Sequence, residues 1–162
     1  MSFEKVKAYF ERIGLGDRVV VRDHVGDTVE HAAQAIGCEP ARIAKTMSFM
    51  QNDELALVVM AGDAKVNNPK YKACFKQKAV MIHGDQVESL IGHAPGAVCP
   101  FAVNTGVKIY LDISLKRFDT FYTAGGSLNS TVKLSLEELQ EHSSFIGWVD
   151  VTKGWSANED EQ

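Results

Sequence analysis

Apolar residues recur at helical spacing in two stretches near the start of the chain. The first stretch has one apolar face, formed by Phe3, Val6, Tyr9, Phe10 and Ile13, and it stops at Gly14. The second stretch follows Thr28, a residue type that caps helix N-termini, and its apolar positions run to Ile36 before Gly37. Two helices are therefore predicted, over residues 3–13 and 28–36.

Apolar runs with strand character follow in the middle of the chain. Residues 43–50 and 55–61 flank the polar sequence Gln51-Asn52-Asp53-Glu54, which predicts a hairpin whose second strand is buried on both faces. Further strands are predicted at 18–22, 79–82, 107–112, 118–123 and 131–134, and further helices within 65–78, at 84–91 and from Ser135, where Glu138 completes a capping box. Because this order is not a regular alternation of strand and helix, it predicts an α+β fold with a curved mixed sheet.

A length of 162 residues suits one domain, which we expect to cover residues 1–155, with a disordered tail over 156–162. The chain is 45% hydrophobic and 23% charged, which is typical of a globular protein. Its net charge is −4, and three acids lie in the terminal run Glu159-Asp160-Glu161, so the rest of the chain is nearly neutral. A uniformly basic nucleic-acid-binding surface is therefore excluded, whereas a local basic patch is not.

The three cysteines, Cys38, Cys74 and Cys99, are widely spaced and form no CxxC pair. This spacing argues against a disulfide framework and a zinc site, and it fits a reducing compartment. Neither a signal-peptide pattern nor an apolar run of membrane-spanning length occurs, so we expect a cytoplasmic protein. The nucleophile elbow, the Walker loop, GxGxxG and HExxH are also missing from the sequence, so the common catalytic and cofactor motifs are absent.

Three features of the sequence can carry chemistry. Lys45 lies at the start of an otherwise apolar strand. Its ammonium either points inward and has a functional role, or it lies at an exposed strand end. The stretch Gly96–Pro100 can present backbone N–H groups to an oxyanion or a phosphate, or simply connect a helix to a strand. The pair Gly125 and Gly126 can let a substrate lie against the backbone, or form a hairpin turn.

A local basic run and one histidine add weaker signals. The lysines of the run can receive a phosphate backbone or remain a solvated surface; they are Lys65, Lys70, Lys72, Lys76 and Lys78. His93 comes just before the stretch Gly96–Pro100, called the glycine loop below, and it is either a substrate contact or a loop histidine without a role.

In their order along the chain, these pieces resemble a known family. The matching stretches are Ala44-Lys45-Thr46, Gly62-Asp63 with Lys65-Val66, the segment from Gly92 to Phe101, Tyr110-Leu111-Asp112, and Ala124-Gly125-Gly126-Ser127. Together they resemble the YbaK/EbsC group of aminoacyl-tRNA deacylases, relatives of the editing domain of bacterial prolyl-tRNA synthetases, over about residues 25 to 140. The resemblance implies a mostly antiparallel, barrel-like sheet with flanking helices. It also implies a free-standing enzyme that hydrolyses the ester of a mischarged tRNA carrying a small amino acid.

The resemblance also implies roles for individual residues. Lys45 and Gly96 match catalytic positions, and Gly96 and Pro100 form a GxxxP loop. The predicted substrate-binding residues are Thr46, His93, Ala97, Val98, Cys99, Pro100, Asp112, Ala124, Gly125 and Gly126. The basic run supplies the predicted tRNA-binding residues Lys65, Lys70, Lys72 and Lys76. Ala97 after Gly96, and Phe101-Ala102, depart from the family pattern and bear on which amino acid is removed.

The implied reaction requires no strong nucleophile from the protein. An aminoacyl ester is activated by its own ammonium and by the ribose hydroxyl, so we expect water as the nucleophile and neither a cofactor nor a metal. The site would supply orientation and stabilisation of the oxyanion, and Lys45 would serve the oxyanion or anchor the terminal ribose or phosphate. The expected partners are the acceptor end of tRNA and a synthetase or elongation factor, without DNA or membrane. The alternatives are a non-catalytic tRNA-binding or regulatory protein on the same fold, and a hydrolase of another small acyl ester.

Overall fold

The computed structural model describes residues 2–23 and 28–155 of the chain. The helices are α1 (Ser2–Arg12), α2 (Val29–Ile36), α3 (Asn68–Phe75), α4 (Val87–Ile91) and α5 (Leu136–His142). The strands are β1 (Val19–Val21), β2 (Ala44–Gln51), β3 (Glu54–Ala61), β4 (Lys65–Val66), β5 (Lys108–Asp112), β6 (Thr120–Ala124), β7 (Ser130–Ser135), β8 (Gly147–Val149) and β9 (Thr152–Lys153). The predicted α+β class is confirmed. The predicted tail over 156–162 lies outside the described residues.

Local capping signals set the ends of two predicted helices. The Thr28 hydroxyl accepts a hydrogen bond from the His31 amide, and Gly37 ends α2 in the left-handed region at φ +85°. At α5, the Ser135 hydroxyl accepts from the Glu138 amide, and the Glu138 carboxylate accepts from the Ser135 amide. The capping box and both helix starts therefore form as the sequence predicts.

The strands form three sheets in the described part of the chain. The largest sheet has the order β2-β3-β5-β8, in which β2 and β3 are the predicted hairpin and the last two ladders are parallel. A second, antiparallel sheet has the order β1-β7-β6, and β4 pairs with β9. Between the two larger sheets, Ile43 and Tyr122 form only an isolated bridge. No closed barrel is found among the described residues, because hydrogen bonding does not continue beyond that bridge.

Two segments depart from the predicted elements. Residues 79–82 do not form a full strand, but the segment follows the edge of β2 through bonds from the Met50 amide to Val80 and from the Ile82 amide to Ser48. The helix predicted within 65–78 is preceded by β4 and begins only at Asn68, because Asn67 caps it and Pro69 occupies its first turn. It ends at Lys76, which adopts a left-handed conformation.

Buried apolar side chains form a core on each face of the β2–β3 hairpin. On one face, α1 and α5 pack over β3, β5 and the second sheet, where Phe10, Phe101 and Phe121 are fully enclosed. On the other face, α3 brings Tyr71 against Phe49. The edge strand β2 lies beside the second sheet, and a depression separates the two. None of the helices in the described ranges has the length and apolar character that crossing a bilayer requires.

Candidate functional site

A cleft of about 560 Å³ lies where the edge of β2 faces the second sheet. One wall is the apolar face of α2, and a second wall is the segment from Met81 to Val87. The loop around Gly96 and the ends of β6 and β7 complete the lining. Most of this surface is apolar, with hydroxyl groups and one ammonium group among the described lining residues, as in many small-molecule sites.

Three stretches that are distant in sequence meet in this cleft. Lys45 and Thr46 reach it from β2, Gly96 and Val98 from the loop before β5, and Ala124 from the end of β6. These five belong to the predicted set of site residues, so the structure brings together one part of that set. The remaining predicted residues lie outside the described cleft lining, for reasons that differ from residue to residue.

Lys45 is held at the wall of the cleft by backbone carbonyl groups. Its ammonium donates to the carbonyl oxygen of Ala64 at 2.5 Å and to that of Gly62 at 3.4 Å, both on the turn that follows β3. Burial lowers the pKa of this ammonium, while the nearby carboxylates of Asp63 and Glu30 act in the opposite direction. An ammonium has three N–H donors, so the two carbonyl groups leave one for another acceptor.

The glycine loop presents alternate residues to the cleft. Gly96 has φ +84°, in the left-handed region, and it lines the cleft together with Val98, whereas Ala97 and Pro100 are buried beneath the loop. The Ala97 amide donates to Ala94 and is thus used within the turn. The amides of Gly96 and Val98 donate to no acceptor within the described part of the chain.

Ala124 lines the cleft, but the two glycines after it serve the packing of the chain. A Cβ atom added to Gly125 would lie 2.7 Å from the Ser130 hydroxyl oxygen. A Cβ atom on Gly126 would lie 2.8 Å from the backbone oxygen of Ser2, in α1. These glycines are therefore needed for close approach by the protein itself, and the structure places them behind the surface that a substrate would touch.

The predicted substrate contact His93 is fully buried within the protein. Its Nε2 lies 2.7 Å from the carbonyl oxygen of Phe101, and its Nδ1 is hydrogen-bonded to the Ser2 hydroxyl. Burial lowers the pKa of this imidazole. Cys99 is buried beside it, and burial raises the pKa of its thiol to about 12. Neither side chain lines the cleft, and the His93 ring joins the two ends of the loop that runs from Gly92 to Phe101.

Asp112 is a third predicted residue that the structure assigns to the fold. It is fully buried, and its carboxylate accepts from the amides of Ser114 and Val151 and from the hydroxyl of Thr152. The donors from Val151 and Thr152 connect the end of β5 to the chain entering β9. Asp112 therefore holds two segments together rather than lining the cleft.

The four predicted tRNA-binding lysines lie outside the described cleft lining, near the turn that holds Lys45 and on α3. Lys70 is paired with Asp150 at 3.2 Å and donates to the Thr152 carbonyl oxygen at 3.0 Å. Lys65 in β4 and Lys72 and Lys76 in and after α3 are exposed. Their role in tRNA binding stays a prediction.

Sequence reasoning missed much of the apolar wall. Val29, Ala32 and Ile36 of α2 line the cleft, although their spacing predicted only a helix face packed on a core. Met81 and Leu128 line it as well, and both are about half exposed, at 53% and 47%. The sequence shows only that these two positions are apolar. Their exposure, which marks them as part of a binding surface, is known only from the tertiary structure.

Comparison with known proteins agrees with this geometry. The family described as aminoacyl-tRNA editing domain matches residues 24–142, nearly three quarters of the chain. The chain belongs to this family. The matched region of the editing domain includes every residue that lines the cleft, whereas α1 and the strands β8 and β9 lie outside it. The resemblance to YbaK-like editing domains is thus confirmed.

Individual relatives of this editing domain are consistent with the family. The uncharacterized protein YwhH of Bacillus subtilis is 41% identical over 156 residues, which cover 96% of this chain and 99% of that protein. The proline–tRNA ligase of Bacillus velezensis is 29% identical over 90 residues, which are 55% of this chain and only 16% of the ligase. A solved structure described as a candidate trans-editing enzyme for prolyl tRNA synthetase superposes with a TM-score of 0.84 at 26% identity. That superposition covers 94% of this chain and 98% of the other.

Proposed function

We propose that this chain is a free-standing deacylase that hydrolyses the ester between a small amino acid and a mischarged tRNA. The observation that supports it most is that Lys45, the Gly96 loop and Ala124 line one cleft in a chain of the editing-domain family. The similarity to proline–tRNA ligases favours a tRNA that a prolyl-tRNA synthetase handles, with that synthetase or an elongation factor as the partner. A cytoplasmic location follows from this role in translation.

The Gly96 loop would stabilise the charge that develops on the carbonyl oxygen. The amides of Gly96 and Val98 have no other acceptor in the described ranges, and both residues line the cleft. Backbone donors that are already in place when the reaction starts stabilise an oxyanion without reorganisation, each by roughly 2.7–4 kcal/mol. Gly96 is therefore a catalytic residue through its backbone rather than through a side chain.

Lys45 would bind the substrate through its remaining N–H donor. Two of its donors are directed at Gly62 and Ala64, so the ammonium cannot swing freely away from the wall. The third can reach the terminal phosphate, a ribose hydroxyl or the oxyanion, and each of these acceptors gains from a positive charge in a partly dry site. The first two would affect substrate binding, and the third would affect the chemical step.

Thr46 would add a hydroxyl to the same wall. Its Oγ1 is buried and forms no hydrogen bond with any described residue. Buried hydroxyl groups normally have a partner, and one left without a partner costs about 1–3 kcal/mol. A rotation about the side-chain bond would bring this hydroxyl to the ammonium or carbonyl of a bound aminoacyl group, which would remove that cost.

Water is the nucleophile that fits this lining. Among the described lining residues there is no histidine, cysteine, aspartate or glutamate, and the ammonium of Lys45 is bound as a donor to two carbonyl groups, so no free base is in place to activate the serine and threonine hydroxyl groups. The aminoacyl ester carries its own ammonium and a neighbouring ribose hydroxyl, and the latter can direct the water. The protein then contributes orientation and charge stabilisation.

Selection would follow the size of the side chain. The lining of the cleft includes small and apolar residues, among them Ala32 and Ala124, and further space is limited by Val98 and Met47. A synthetase gains only about 1–3 kcal/mol from one methylene, so it charges smaller amino acids by error. A cleft that admits the smaller side chain and excludes the larger one corrects that error.

The decisive experiment presents one tRNA, charged in turn with several amino acids, to the wild type, to Lys45→Ala and to Lys108→Ala. Lys108 is a partly exposed lysine paired with Glu54, and Lys108→Ala is the matched control because it also removes one lysine. We expect the wild type and Lys108→Ala to release at least one small amino acid, and Lys45→Ala to be slower by about a hundredfold. Binding of tRNA without release of any amino acid would indicate a non-catalytic protein, and equal rates for Lys45→Ala would remove Lys45 from the site.

A further inference from the structure

Two loops that line the cleft belong to different parts of the fold. One loop runs from Gly92 to Phe101, between α4 and β5, and the other joins β6 to β7 around Gly126. No backbone ladder joins the two loops in the described part of the chain. The first turn of α1 lies against both loops, so its position affects the width of the cleft between them.

The contact with the first loop is a chain of two hydrogen bonds, of which the one to Ser2 is partly buried and the one to Phe101 is buried. The Nε2 of His93 faces the Phe101 carbonyl oxygen at 2.7 Å, an atom that can only accept, so this nitrogen carries the proton. The Nδ1 of a neutral ring is then an acceptor, and the Ser2 hydroxyl donates to it. Through the imidazole, Ser2 is connected to both ends of the loop that carries Gly96.

The contact with the second loop is made by backbone atoms. Gly126 has φ +91°, and a Cβ atom there would lie 2.8 Å from the Ser2 carbonyl oxygen and 3.0 Å from the Phe3 amide nitrogen. Even the smallest side chain at position 126 would therefore push α1 and this loop apart. The loop begins directly after Ala124, which lines the cleft.

We propose that Ser2 is a positioning residue that sets the distance between the two loops and thereby the range of amino acids that the cleft accepts. This inference rests on the proposed deacylase function. Helix α1 lies outside residues 24–142, so the family match assigns it no part in the site. The buried His93 then acts as the connection between Ser2 and the Gly96 loop, and not as a substrate contact.

Tyr9 offers a matched control within the same helix. Its hydroxyl donates to the His142 carbonyl oxygen at 2.7 Å, so Tyr9→Phe removes one tertiary hydrogen bond of α1 and keeps the ring that stacks on Phe101. Ser2→Ala likewise removes one hydrogen bond of α1, but this one leads to the Gly96 loop. Both variants should lower the thermal midpoint by similar amounts, and only the second should alter the site.

The test compares the wild type, Ser2→Ala, Ser2→Thr and Tyr9→Phe on one tRNA charged with alanine, serine, cysteine or valine. For Ser2→Ala we expect kcat/KM on the best substrate to fall about tenfold, because small displacements of reacting groups are costly. We also expect the ratio between the best substrate and valine to change by about threefold or more. Ser2→Thr, which keeps the hydroxyl, and Tyr9→Phe should retain the wild-type ratio.

Hydrogen exchange of the Ala97 amide, which is buried and donates to Ala94 within the same loop, supplies a readout that needs no activity. This amide should exchange faster in Ser2→Ala than in Tyr9→Phe. If the wild type is active and Ser2→Ala behaves as Tyr9→Phe does in selectivity and in exchange, the inference about Ser2 is wrong while the deacylase function stands. If the wild type releases no amino acid, the proposed function fails, and the exchange comparison still decides whether Ser2 controls the loop.

Discussion

The ammonium of Lys45 lies 2.5 Å from the carbonyl oxygen of Ala64, which belongs to the turn after the neighbouring strand. This contact fixes a charged side chain in a partly buried wall, where water can no longer solvate it fully. Burial accordingly lowers the pKa of Lys45. The folded protein thus retains a charge at this position at the expense of stability, which is a common property of functional sites.

The first prediction concerns the stability of Lys45→Met. Because the folded state holds Lys45 at a lower pKa than the unfolded state, it binds fewer protons between the two values, and the unfavourable effect is fully present at neutral pH. Lys45→Met should therefore unfold at higher urea concentration than the wild type at neutral pH. This gain should shrink as the pH rises towards the ordinary lysine value of 10.5. Lys108→Met should show no such gain, since its ion pair with Glu54 raises the pKa of Lys108. A gain that does not depend on pH would contradict the burial argument.

The second prediction concerns the unpartnered hydroxyl of Thr46. Thr46→Val keeps the shape of the side chain and removes a buried polar atom, so we expect equal or slightly higher stability, by about 1 kcal/mol at most. If the hydroxyl meets the aminoacyl group, the same variant should lower kcat/KM by about five- to tenfold. Thr46→Ser should restore most of that loss. Steady-state hydrolysis and urea unfolding measure the two effects, and full activity of Thr46→Val would exclude a role for the hydroxyl.

The third prediction tests the size of the cleft. Ala124→Leu adds three carbon atoms at a lining position, and it should abolish hydrolysis while leaving the far-ultraviolet circular dichroism spectrum unchanged. Ala32→Leu, at another lining position, should act in the same direction. Ala35→Leu is the matched control, because Ala35 lies in the same helix as Ala32 but is exposed and does not line the cleft. Unchanged rates for Ala124→Leu with every charged tRNA would show that this wall does not limit the substrate.

Elements with strong local signals could be predicted from the sequence. The cap at Thr28, the capping box at Ser135 and the hairpin of β2 and β3 all form, because neighbouring residues determine each of them. The convergence of Lys45, Gly96 and Ala124 followed only from the resemblance to a family. Periodicity carries no information about which loops meet in space.

The orientation of loop side chains could not be predicted in the same way. His93 comes just before Gly96 in the sequence, yet its ring is buried, where the Phe101 carbonyl oxygen accepts from it. Gly125 and Gly126 have the composition of a substrate-facing loop, but their missing side chains make room for Ser130 and α1. In each case a tertiary contact decided between interpretations that the sequence left open.

The fourth prediction concerns the basic run. Lys72 and Lys76 are exposed, whereas Lys70 is paired with Asp150. If α3 contacts the phosphate backbone, each of Lys72→Gln and Lys76→Gln should weaken tRNA binding and reduce the slope of log K against log salt by about 0.7–0.9. Lys108→Gln also removes one exposed positive charge, and it should leave the slope unchanged. If all three variants keep the wild-type slope, the tRNA binds to another face of the protein.

The last prediction distinguishes water from a thiol as the nucleophile. Cys99 lies in the glycine loop, and its position in the sequence alone would suit a reactive thiol. It is fully buried, however, and its raised pKa of about 12 keeps it protonated. Only the thiolate reacts with iodoacetamide, so Cys99 should be alkylated at least about a hundredfold more slowly than the exposed Cys74 in the folded protein.

Mass spectrometry of peptides after timed alkylation measures this difference. The same protein in urea is the internal control, because unfolding should make the three cysteines react at similar rates. Hydrolysis should persist after Cys74 has been fully modified, since neither Cys74 nor Cys99 lines the cleft. Alkylation of Cys99 in the folded protein together with loss of hydrolysis would mean that the loop opens and that its thiol takes part in the reaction.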